Sequence, residues 1–198
     1  MNQLTRRGLA VLTCALSSAI VGCAASGGHP PQFAPDRPTV VIVVRHAEKS
    51  APSGDVALSA LGEARAVALS DALAGTRVDG VITTTLLRTR QTAAPLVRAR
   101  QLTPIEVPPA SDVAAHAAQI ASLVRSRFAG RAVLIVGHSN TVPAIVRALG
   151  GPAMPDLCDT EYAGMFVVVL AAGDSARVIR SSYGLPDPAE KTGCPTMR

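Results

Sequence analysis

Residues 39–46 read Thr-Val-Val-Ile-Val-Val-Arg-His, a run of mostly branched apolar residues that ends in two basic side chains. A continuous run of this kind, without polar alternation, predicts a strand that is buried on both faces. Such strands are typical of parallel sheets that are covered by helices on both sides. We therefore expect residues 39–44 to form a central strand whose carboxyl end presents Arg45 and His46.

Strand-like and helix-like segments alternate along the chain beyond this first strand. Ser59 is the candidate N-cap of the first helix, and Pro95 is expected to kink or break the second. The alternation predicts an α/β fold, a three-layer α/β/α sandwich with a mostly parallel central sheet. The predicted helices cover residues 58–73, 87–100, 111–128 and 141–149, and the further strands cover 79–84, 104–107, 131–136, 161–170 and 175–181.

Four basic side chains follow the predicted strand ends. In such sheets the chemistry gathers just beyond the carboxyl ends of the strands, which here lead into Arg45 and His46, Arg88, and His138. Two arginines at buried positions need an anion, and phosphate matches their forked donors. The neighbouring positive charge should lower the pKa of His46, which then stays neutral and nucleophilic near neutral pH. His116, inside the third helix, is interpreted as a surface residue.

Four segments in this order resemble the histidine phosphatase superfamily, the phosphoglycerate-mutase-like group. They are Arg-His-Ala at 45–47, Leu-Ser-Ala-Leu-Gly at 58–62, the stretch TTLLRTRQTA at 84–93 and VLIVGHSN at 133–140. The resemblance spans about residues 40–150 and implies a phosphoglycerate mutase-like fold. It also implies that His46 attacks phosphorus and becomes phosphorylated, while Arg45, Arg88 and His138 hold the phosphoryl oxygens. The implied substrate is a small phosphorylated compound, and no metal or other cofactor is implied.

The chain departs from the family pattern at three positions. Ala47 replaces a glycine, which is tolerable if the backbone φ there is negative. Thr84 replaces a serine and keeps the hydroxyl group. Ser139 follows His138 where the acid-phosphatase branch has an aspartate that serves as general acid, so the chain resembles the other branch.

In that other branch the proton donor usually comes from the loop after the third strand, where this chain has Asp112. Asp112 is therefore the candidate general acid. The alternative is that its carboxylate stabilises the N-terminus of the third helix. Glu48 and Glu106 are the reserve candidates, although Glu48 also suits the pocket rim or an ion pair with an arginine.

Two other functions compete with a phosphatase. Residues 137–141, Gly-His-Ser-Asn-Thr, nearly match the nucleophile elbow of a serine hydrolase with Ser139 as nucleophile. Thr141 stands at the last glycine position of that motif, and no histidine follows His138 to serve as its base. The second competitor is a non-catalytic lipoprotein that binds an anion, and retention of all four expected site residues weighs against it.

The amino-terminal residues have the layout of a signal peptide. Arg6 and Arg7 precede an uncharged, mostly apolar run at 8–22, and Ile-Val-Gly-Cys at 20–23 resembles the bacterial lipobox. This predicts a signal peptide over 1–22, an acylated Cys23, a flexible tether over 23–38 and the phosphatase-like domain over 39–198. The alternative is an ordinary leader cleaved near residues 24–25. Either form predicts export, and the lipid form predicts membrane attachment on the periplasmic side of a bacterial envelope.

Charge and cysteine content limit the partners and the compartment. The formal net charge of +5 comes without Lys/Arg runs or interleaved aromatic residues, so nucleic acid is not an expected partner. With Cys14 in the leader and Cys23 lipidated, Cys158 and Cys194 remain. In an oxidising compartment these two have one possible pairing, a disulfide that pins the C-terminal tail. The alternative is two free thiols.

Overall fold

A computed structural model describes residues 37–171, 176–189 and 194 of the 198-residue chain, all within one compact unit that spans Phe33–Arg198. The predicted signal peptide, Cys23 and all of the predicted tether except Arg37 and Pro38 lie outside the described residues. Among the described residues, no helix has both the length and the apolar composition needed to cross a membrane.

The described chain alternates strands and helices as the sequence predicts, with the predicted bounds shifted by a few residues at most. In chain order the elements are β1 Thr39–Arg45, α1 Ala60–Ala72, β2 Gly80–Thr83, α2 Leu87–Arg100, β3 Ile105–Glu106, α3 Val113–Arg127, β4 Ala132–Gly137, α4 Thr141–Ala148, β5 Gly164–Leu170 and β6 Arg177–Ser182.

These strands form one six-stranded sheet in the order β3-β2-β4-β1-β5-β6. The pairs β2–β3, β2–β4 and β1–β4 are parallel, whereas β5 pairs antiparallel with both β1 and β6. The predicted mostly parallel sheet is confirmed. Its antiparallel edge follows from chain order, since only residues 171–176 separate β5 from β6, which suits a hairpin and is too short for the crossover that a parallel pair needs.

Successive side chains of β1 enter two separate cores. Val41 and Val43 pack with the apolar faces of α3 and α4, and Ile42 and Val44 pack with those of α1 and α2. Alternate residues of a strand point to opposite faces, so a strand with apolar residues at every position needs helices on both sides. The three-layer sandwich predicted from residues 39–44 is confirmed, and β1 lies inside the sheet with its carboxyl end between β4 and β5.

The start of α1 fixes the loop that follows β1. Ser59 caps the helix through its side chain, which accepts a hydrogen bond from the Gly62 amide at 3.1 Å. A Cβ at Gly62 would collide with the backbone of Glu48, so glycine is required by the close approach of the two segments. The Ser59 amide donates to the Glu48 carbonyl at 2.9 Å. The Leu-Ser-Ala-Leu-Gly segment thereby holds the chain in place just after His46.

Of the two outcomes predicted at Pro95, a kink or a break, the break is wrong, because α2 runs without interruption from Leu87 to Arg100. Proline removes one backbone hydrogen bond, which costs a few kcal/mol in an isolated helix. Here the neighbouring residues Ala93 and Leu96 are buried in the core that α2 shares with α1, β2 and β4. Tertiary packing of this face outweighs the local preference.

The interpretation of His116 as a surface residue is also wrong, because only 2% of it is exposed and it packs on the inner side of α3. This alanine-rich helix has no periodic pattern strong enough to separate its buried face from its exposed face.

A disulfide joins Cys158 to Cys194, with an S–S distance of 2.08 Å. It links the segment after α4 to the C-terminal tail, as expected for the two remaining cysteines.

Candidate active site

The register of the parallel strands brings the ends of β1, β4 and β2 together. Arg45 of β1 pairs with Gly137 of β4, and Thr83 of β2 pairs with Val136 of β4. The residues that follow these pairs therefore emerge side by side, and the His46 amide donates to the Gly137 carbonyl at 2.9 Å. The strand ends open into a cavity of about 440 Å³. It is lined by Arg45, His46, Lys49, Leu86, Arg88, Pro109, Ala110, His138, Ser139, Asn140, Thr141 and Asp159.

The two histidines face each other across this cavity. Their ring centroids lie 5.3 Å apart with planes inclined at 60°. The Nδ1 atom of His46 is 2.8 Å from the Ala47 carbonyl oxygen. Because a carbonyl can only accept, Nδ1 carries the proton in this bond, and in the neutral ring Nε2 keeps its lone pair. His46 is thus held in the tautomer that a nucleophile at Nε2 requires.

The ring of His138 is anchored from the end of β2. Its Nε2 lies 3.2 Å from the Thr84 hydroxyl, which in turn lies 2.9 Å from the Thr89 hydroxyl on α2. The His138 amide donates to the Thr141 hydroxyl at 2.8 Å. The hydroxyl that the sequence retains at Thr84 therefore orients the second histidine. Nδ1 of His138 is buried and has no hydrogen-bond partner within the described ranges of the chain.

Burial and positive surroundings keep both imidazoles neutral. Burial is the main cause that lowers the pKa of His46 to about 3, and the charges of His138, Arg45 and Arg88 act in the same direction. Burial likewise lowers the pKa of His138 to about 4, with Arg88 as the next cause. The lowered pKa expected for His46 is present, but its largest cause is loss of water rather than neighbouring charge.

Arg45 lies beneath the cavity and is 5% exposed. Its Nη1 donates to the backbone carbonyls of Cys158 at 2.7 Å, Asp159 at 3.3 Å and Glu161 at 3.0 Å. Its guanidinium carbon lies 4.2 Å from the ring centroid of Tyr162. Nε of Arg45 is buried and finds no hydrogen-bond acceptor among the residues that the structure describes. Carbonyls and an aromatic face orient this cation without neutralising it.

Arg88 enters the cavity from the first turn of α2 and is half-buried. Its Nη1 is 3.3 Å from the Gly54 carbonyl, whereas its buried Nε has no acceptor in the described part of the chain. Asp55 accepts a hydrogen bond from the Leu87 amide at 2.7 Å and so caps this helix from the loop after β1. Burial lowers the pKa of both Arg45 and Arg88. The pair nonetheless stays charged and provides donors for an anion.

Residues 41–110 match the family model of the histidine phosphatase superfamily, branch 1. The matched residues include Arg45, His46 and Arg88, and the geometry adds His138 from β4. Over these residues the chain is similar to that superfamily.

Solved structures of histidine phosphatases share the fold. The protein histidine phosphatase SixA, complexed with tungstate, superposes with a TM-score of 0.57 at 20% identity over 72% of this chain and 96% of its own. A putative phosphohistidine phosphatase SixA from Agrobacterium tumefaciens gives 0.54 at 24% identity, over 74% of this chain and 98% of its own. Mycobacterial glucosyl-3-phosphoglycerate phosphatase superposes with a TM-score of 0.59 at 19% identity, over 74% of this chain and 99% of its own. A search of curated protein sequences finds no match.

The departure at Ala47 is accommodated as expected. Gln101 is the only non-glycine residue with positive φ in the described segments, so the backbone at Ala47 places no demand for glycine. Ala47 is fully buried, and its amide donates to the Thr92 hydroxyl at 2.9 Å.

The structure does not bring Asp112 into the cavity lining. Asp112 is the N-cap of α3, and its Oδ1 accepts a hydrogen bond from the Ala115 amide at 2.9 Å. The alternative interpretation as a helix-terminal carboxylate therefore describes its position. Of the reserve candidates, Glu48 forms an ion pair with Arg65 at 2.7 Å, and Glu106 lies 3.9 Å from Arg90. Neither lines the cavity.

Ser139 lines the cavity beside His138, but His138 precedes it in the chain and its Nε2 contacts Thr84 instead. The elbow arrangement of a serine hydrolase is not supported by this geometry.

Asp159 lines the cavity from the segment between α4 and β5 and is not among the site residues predicted from the sequence. That segment has no apolar periodicity, and its only signal was the neighbouring Cys158. Within the described ranges, no group of three or more His, Cys, Asp or Glu side chains is arranged to hold a metal ion.

Proposed function

We propose that this chain hydrolyses a phosphomonoester through a phosphohistidine on His46. The observation that carries the proposal is the tautomer of His46, whose Nδ1–H is held by the Ala47 carbonyl in a cavity that also presents Arg45, Arg88 and His138. An imidazole with a free Nε2 lone pair is a competent nucleophile for phosphorus. The match of residues 41–110 to the family model of the histidine phosphatase superfamily supports the same chemistry.

The basic residues act on the phosphoryl group in the transition state. Charge spreads over its equatorial oxygens while the nucleophile and the leaving oxygen lie in line. Arg45 and Arg88 each have a buried Nε with no partner among the described residues, and both side chains line the cavity. Donors fixed in advance in a site of low polarity stabilise such charge without reorganisation. His138 completes the set on the β4 side.

The substrate in this proposal is a small phosphorylated compound. The cavity volume of about 440 Å³ lies in the range of small-molecule sites. The names of the structural neighbours include a protein histidine phosphatase and a glucosyl-3-phosphoglycerate phosphatase, so the shared fold serves substrates of different size.

Trapping of the phosphoenzyme tests the proposal directly. Purified protein is mixed with p-nitrophenyl phosphate, quenched, and examined by intact-mass and peptide mass spectrometry under alkaline conditions that preserve phosphohistidine. We expect a phosphoryl group on His46, its absence in His46→Asn, and a loss of kcat on the order of 10⁴-fold or more in that variant. Ser139→Ala is the matched control and should keep both label and turnover. Equal turnover in wild type and His46→Asn would refute the mechanism.

We further propose that the domain over residues 39–198 works outside the cytoplasm, anchored through an acylated Cys23 that follows a signal peptide over 1–22. The lipobox-like sequence at 20–23 supports this location. The disulfide between Cys158 and Cys194 also supports it, since such bonds persist in oxidising compartments. Metabolic labelling with a palmitate analogue should mark the wild type and fail to mark Cys23→Ser. Labelling of both, or of neither, would contradict the anchor.

A further inference from the structure

The reaction proposed above needs a proton donor for the leaving oxygen, and Asp112 is engaged elsewhere. Of the described residues that line the cavity, Asp159 is the only one with a carboxyl group. We propose that Asp159 is the general acid that protonates the leaving group. This inference rests on the proposed phosphatase function and assigns one further catalytic residue to it.

The segment that carries Asp159 is fixed at the base of the cavity. Arg45, which adjoins the nucleophile, donates to the carbonyls of Cys158 and Asp159 itself. The Leu157 amide donates to the Ser139 carbonyl at 3.0 Å, which ties the segment to the loop after β4. The backbone of Asp159 is therefore held close to the end of β1 and to the loop after β4. Its side chain is exposed and lines the cavity.

Three links, one covalent and two polar, hold the residues on either side of Asp159. Cys158 is joined to Cys194 by the disulfide, and its amide donates to Oε2 of Glu161 at 2.9 Å. The Glu161 amide donates back to the Cys158 carbonyl at 3.0 Å. This closed turn fixes the backbone that carries the Asp159 side chain. Less conformational freedom is then lost when substrate binds, which favours Asp159 as a positioned proton donor.

The other carboxyl groups near the site are already in use. Glu48 binds Arg65 through both carboxylate oxygens, and Asp112 caps α3. Asp55 accepts a hydrogen bond from the Leu87 amide at the start of α2. The hydroxyl groups of Ser139 and Thr141 are too weakly acidic to release a proton to an alkoxide-like oxygen at moderate pH. Asp159 is left as the carboxyl group with access to the leaving oxygen.

The proton and electron balance of the reaction closes with this assignment. Nε2 of His46 bonds to phosphorus as the ester P–O bond breaks, and the departing oxygen takes the proton of the Asp159 carboxylic acid. In the second half, a water molecule bonds to phosphorus while the Asp159 carboxylate accepts its proton. The P–N bond breaks, its electron pair returns to Nε2, and inorganic phosphate leaves. Asp159 ends protonated, ready for the next turnover.

Leaving-group dependence distinguishes an acid from a merely structural residue. We compare kcat/KM for p-nitrophenyl phosphate, whose leaving group needs little protonation, with that for benzyl phosphate, whose alkoxide needs it strongly. In Asp159→Asn we expect benzyl phosphate hydrolysis to fall by about 10²–10³-fold, and p-nitrophenyl phosphate hydrolysis to fall by only a few-fold. Because kcat/KM covers steps up to phosphorylation of His46, slow dephosphorylation does not mask the difference.

Asp156→Asn is the matched control, since Asp156 is an exposed aspartate of the same segment that lines a neighbouring groove instead of this cavity. It should leave both substrates unaffected. Equal losses on the two substrates, or no loss on either, in Asp159→Asn would overturn the role of Asp159 while leaving the phosphatase function intact. A wild-type protein that hydrolyses neither substrate and forms no phosphohistidine would overturn the proposed function and this inference together.

Discussion

Two buried arginines, one at the end of β1 and one in α1, have contrasting surroundings. Arg45 and Arg65 are each 5% exposed. Among the residues that the structure describes, Arg45 donates to three backbone carbonyls and to no carboxylate, and burial lowers its pKa. Arg65 binds Glu48 through two nitrogens; burial alone would lower its pKa, but the hydrogen bond and charge of Glu48 raise it.

This difference separates a ligand-binding cation from a structural one. A buried charge is costly unless it has a counter-charge, and Arg65 has one within the protein. Arg65 also donates to the carbonyls of Tyr183 and Leu185, so it fastens the C-terminal segment to α1. Arg45 is held by backbone carbonyls, and the charges of nearby carboxylates only partly oppose the effect of burial on its pKa. An anion bound in the cavity would stabilise this cation further, as the proposed phosphatase site requires.

Removal of Arg65 should give the largest loss of stability. Arg65→Met leaves the Glu48 carboxylate, with a side chain 15% exposed, without its cation. We expect the free energy of unfolding to fall by about 3–5 kcal/mol, measured by urea denaturation. The double variant Glu48→Gln/Arg65→Met should recover part of that loss, because it leaves no unpaired charge. If Arg65→Met were as stable as wild type, Arg65 would not have the structural role that distinguishes it from Arg45.

Removal of Arg45 should act on catalysis instead. Arg45→Gln keeps a donor for the neighbouring carbonyls but removes the positive charge. We expect kcat/KM for p-nitrophenyl phosphate to fall by about 10²–10³-fold, equivalent to about 3–4 kcal/mol. The binding of tungstate, followed by calorimetry, should weaken in parallel. Arg65→Met, assayed where it is fully folded, is the matched control and should keep kcat/KM within a few-fold. Similar losses of kcat/KM in both variants would show that the two arginines are not functionally distinct.

The imidazoles beside Arg45 should make the stability of this region pH-dependent. In the folded protein the pKa of His46 is lowered to about 3 and that of His138 to about 4, below the ordinary value of 6.5. The unfolded chain therefore binds more protons than the folded chain below about pH 6.5, and stability is lost as the pH falls towards these values. Each histidine contributes a slope of at most about 1.4 kcal/mol per pH unit in this window.

Urea denaturation of wild type and His46→Asn at several pH values between about 7 and 5 measures this slope. The variant lacks one of the two titrating rings and should show a shallower decline. Bound tungstate should also flatten the decline, because an anion at Arg45 and Arg88 favours protonated rings. Identical slopes for wild type and variant would contradict a neutral, buried His46.

The basic residues of this site follow from the sequence, because they lie at the ends of regular strands or shortly after them. The contacts made by irregular segments do not. The sequence predicts the strand over 39–44 correctly, because a parallel strand buried on both faces consists of a continuous run of apolar, mostly branched residues. Arg45 and His46 follow directly at its carboxyl end. Arg88 and His138 followed because parallel strands end at one edge of a sheet. The hydrogen-bond acceptors of Arg45 in the described part of the chain could not be predicted, since they are backbone carbonyls, which any residue type supplies.

The errors came where local patterns compete with packing. The predicted break at Pro95 ignored the burial of Ala93 and Leu96, which holds α2 together. His116 was placed outside because alanine-rich α3 has no clear polar face, yet it is buried. Asp159 lies in an irregular segment that a disulfide and Arg45 fold back onto the cavity, and such long-range contacts leave no periodic trace.

The contrast between a residue paired within the protein and one available to a ligand also applies to carboxylates. Substitution of Asp112 should have the smallest effect of those considered. Asp112 has a partner within the protein, the Ala115 amide, so by analogy with Arg65 it should be structural. Asp112→Ala should cost about 1 kcal/mol of stability through loss of the N-cap. Asp112→Asn should cost little, because asparagine caps helices equally well. Both variants should keep wild-type kcat/KM on p-nitrophenyl and benzyl phosphate. A selective loss of benzyl phosphate hydrolysis in Asp112→Asn would instead mean that a partnered side chain can leave its partner to donate a proton, and a protein partner would no longer mark a residue as structural.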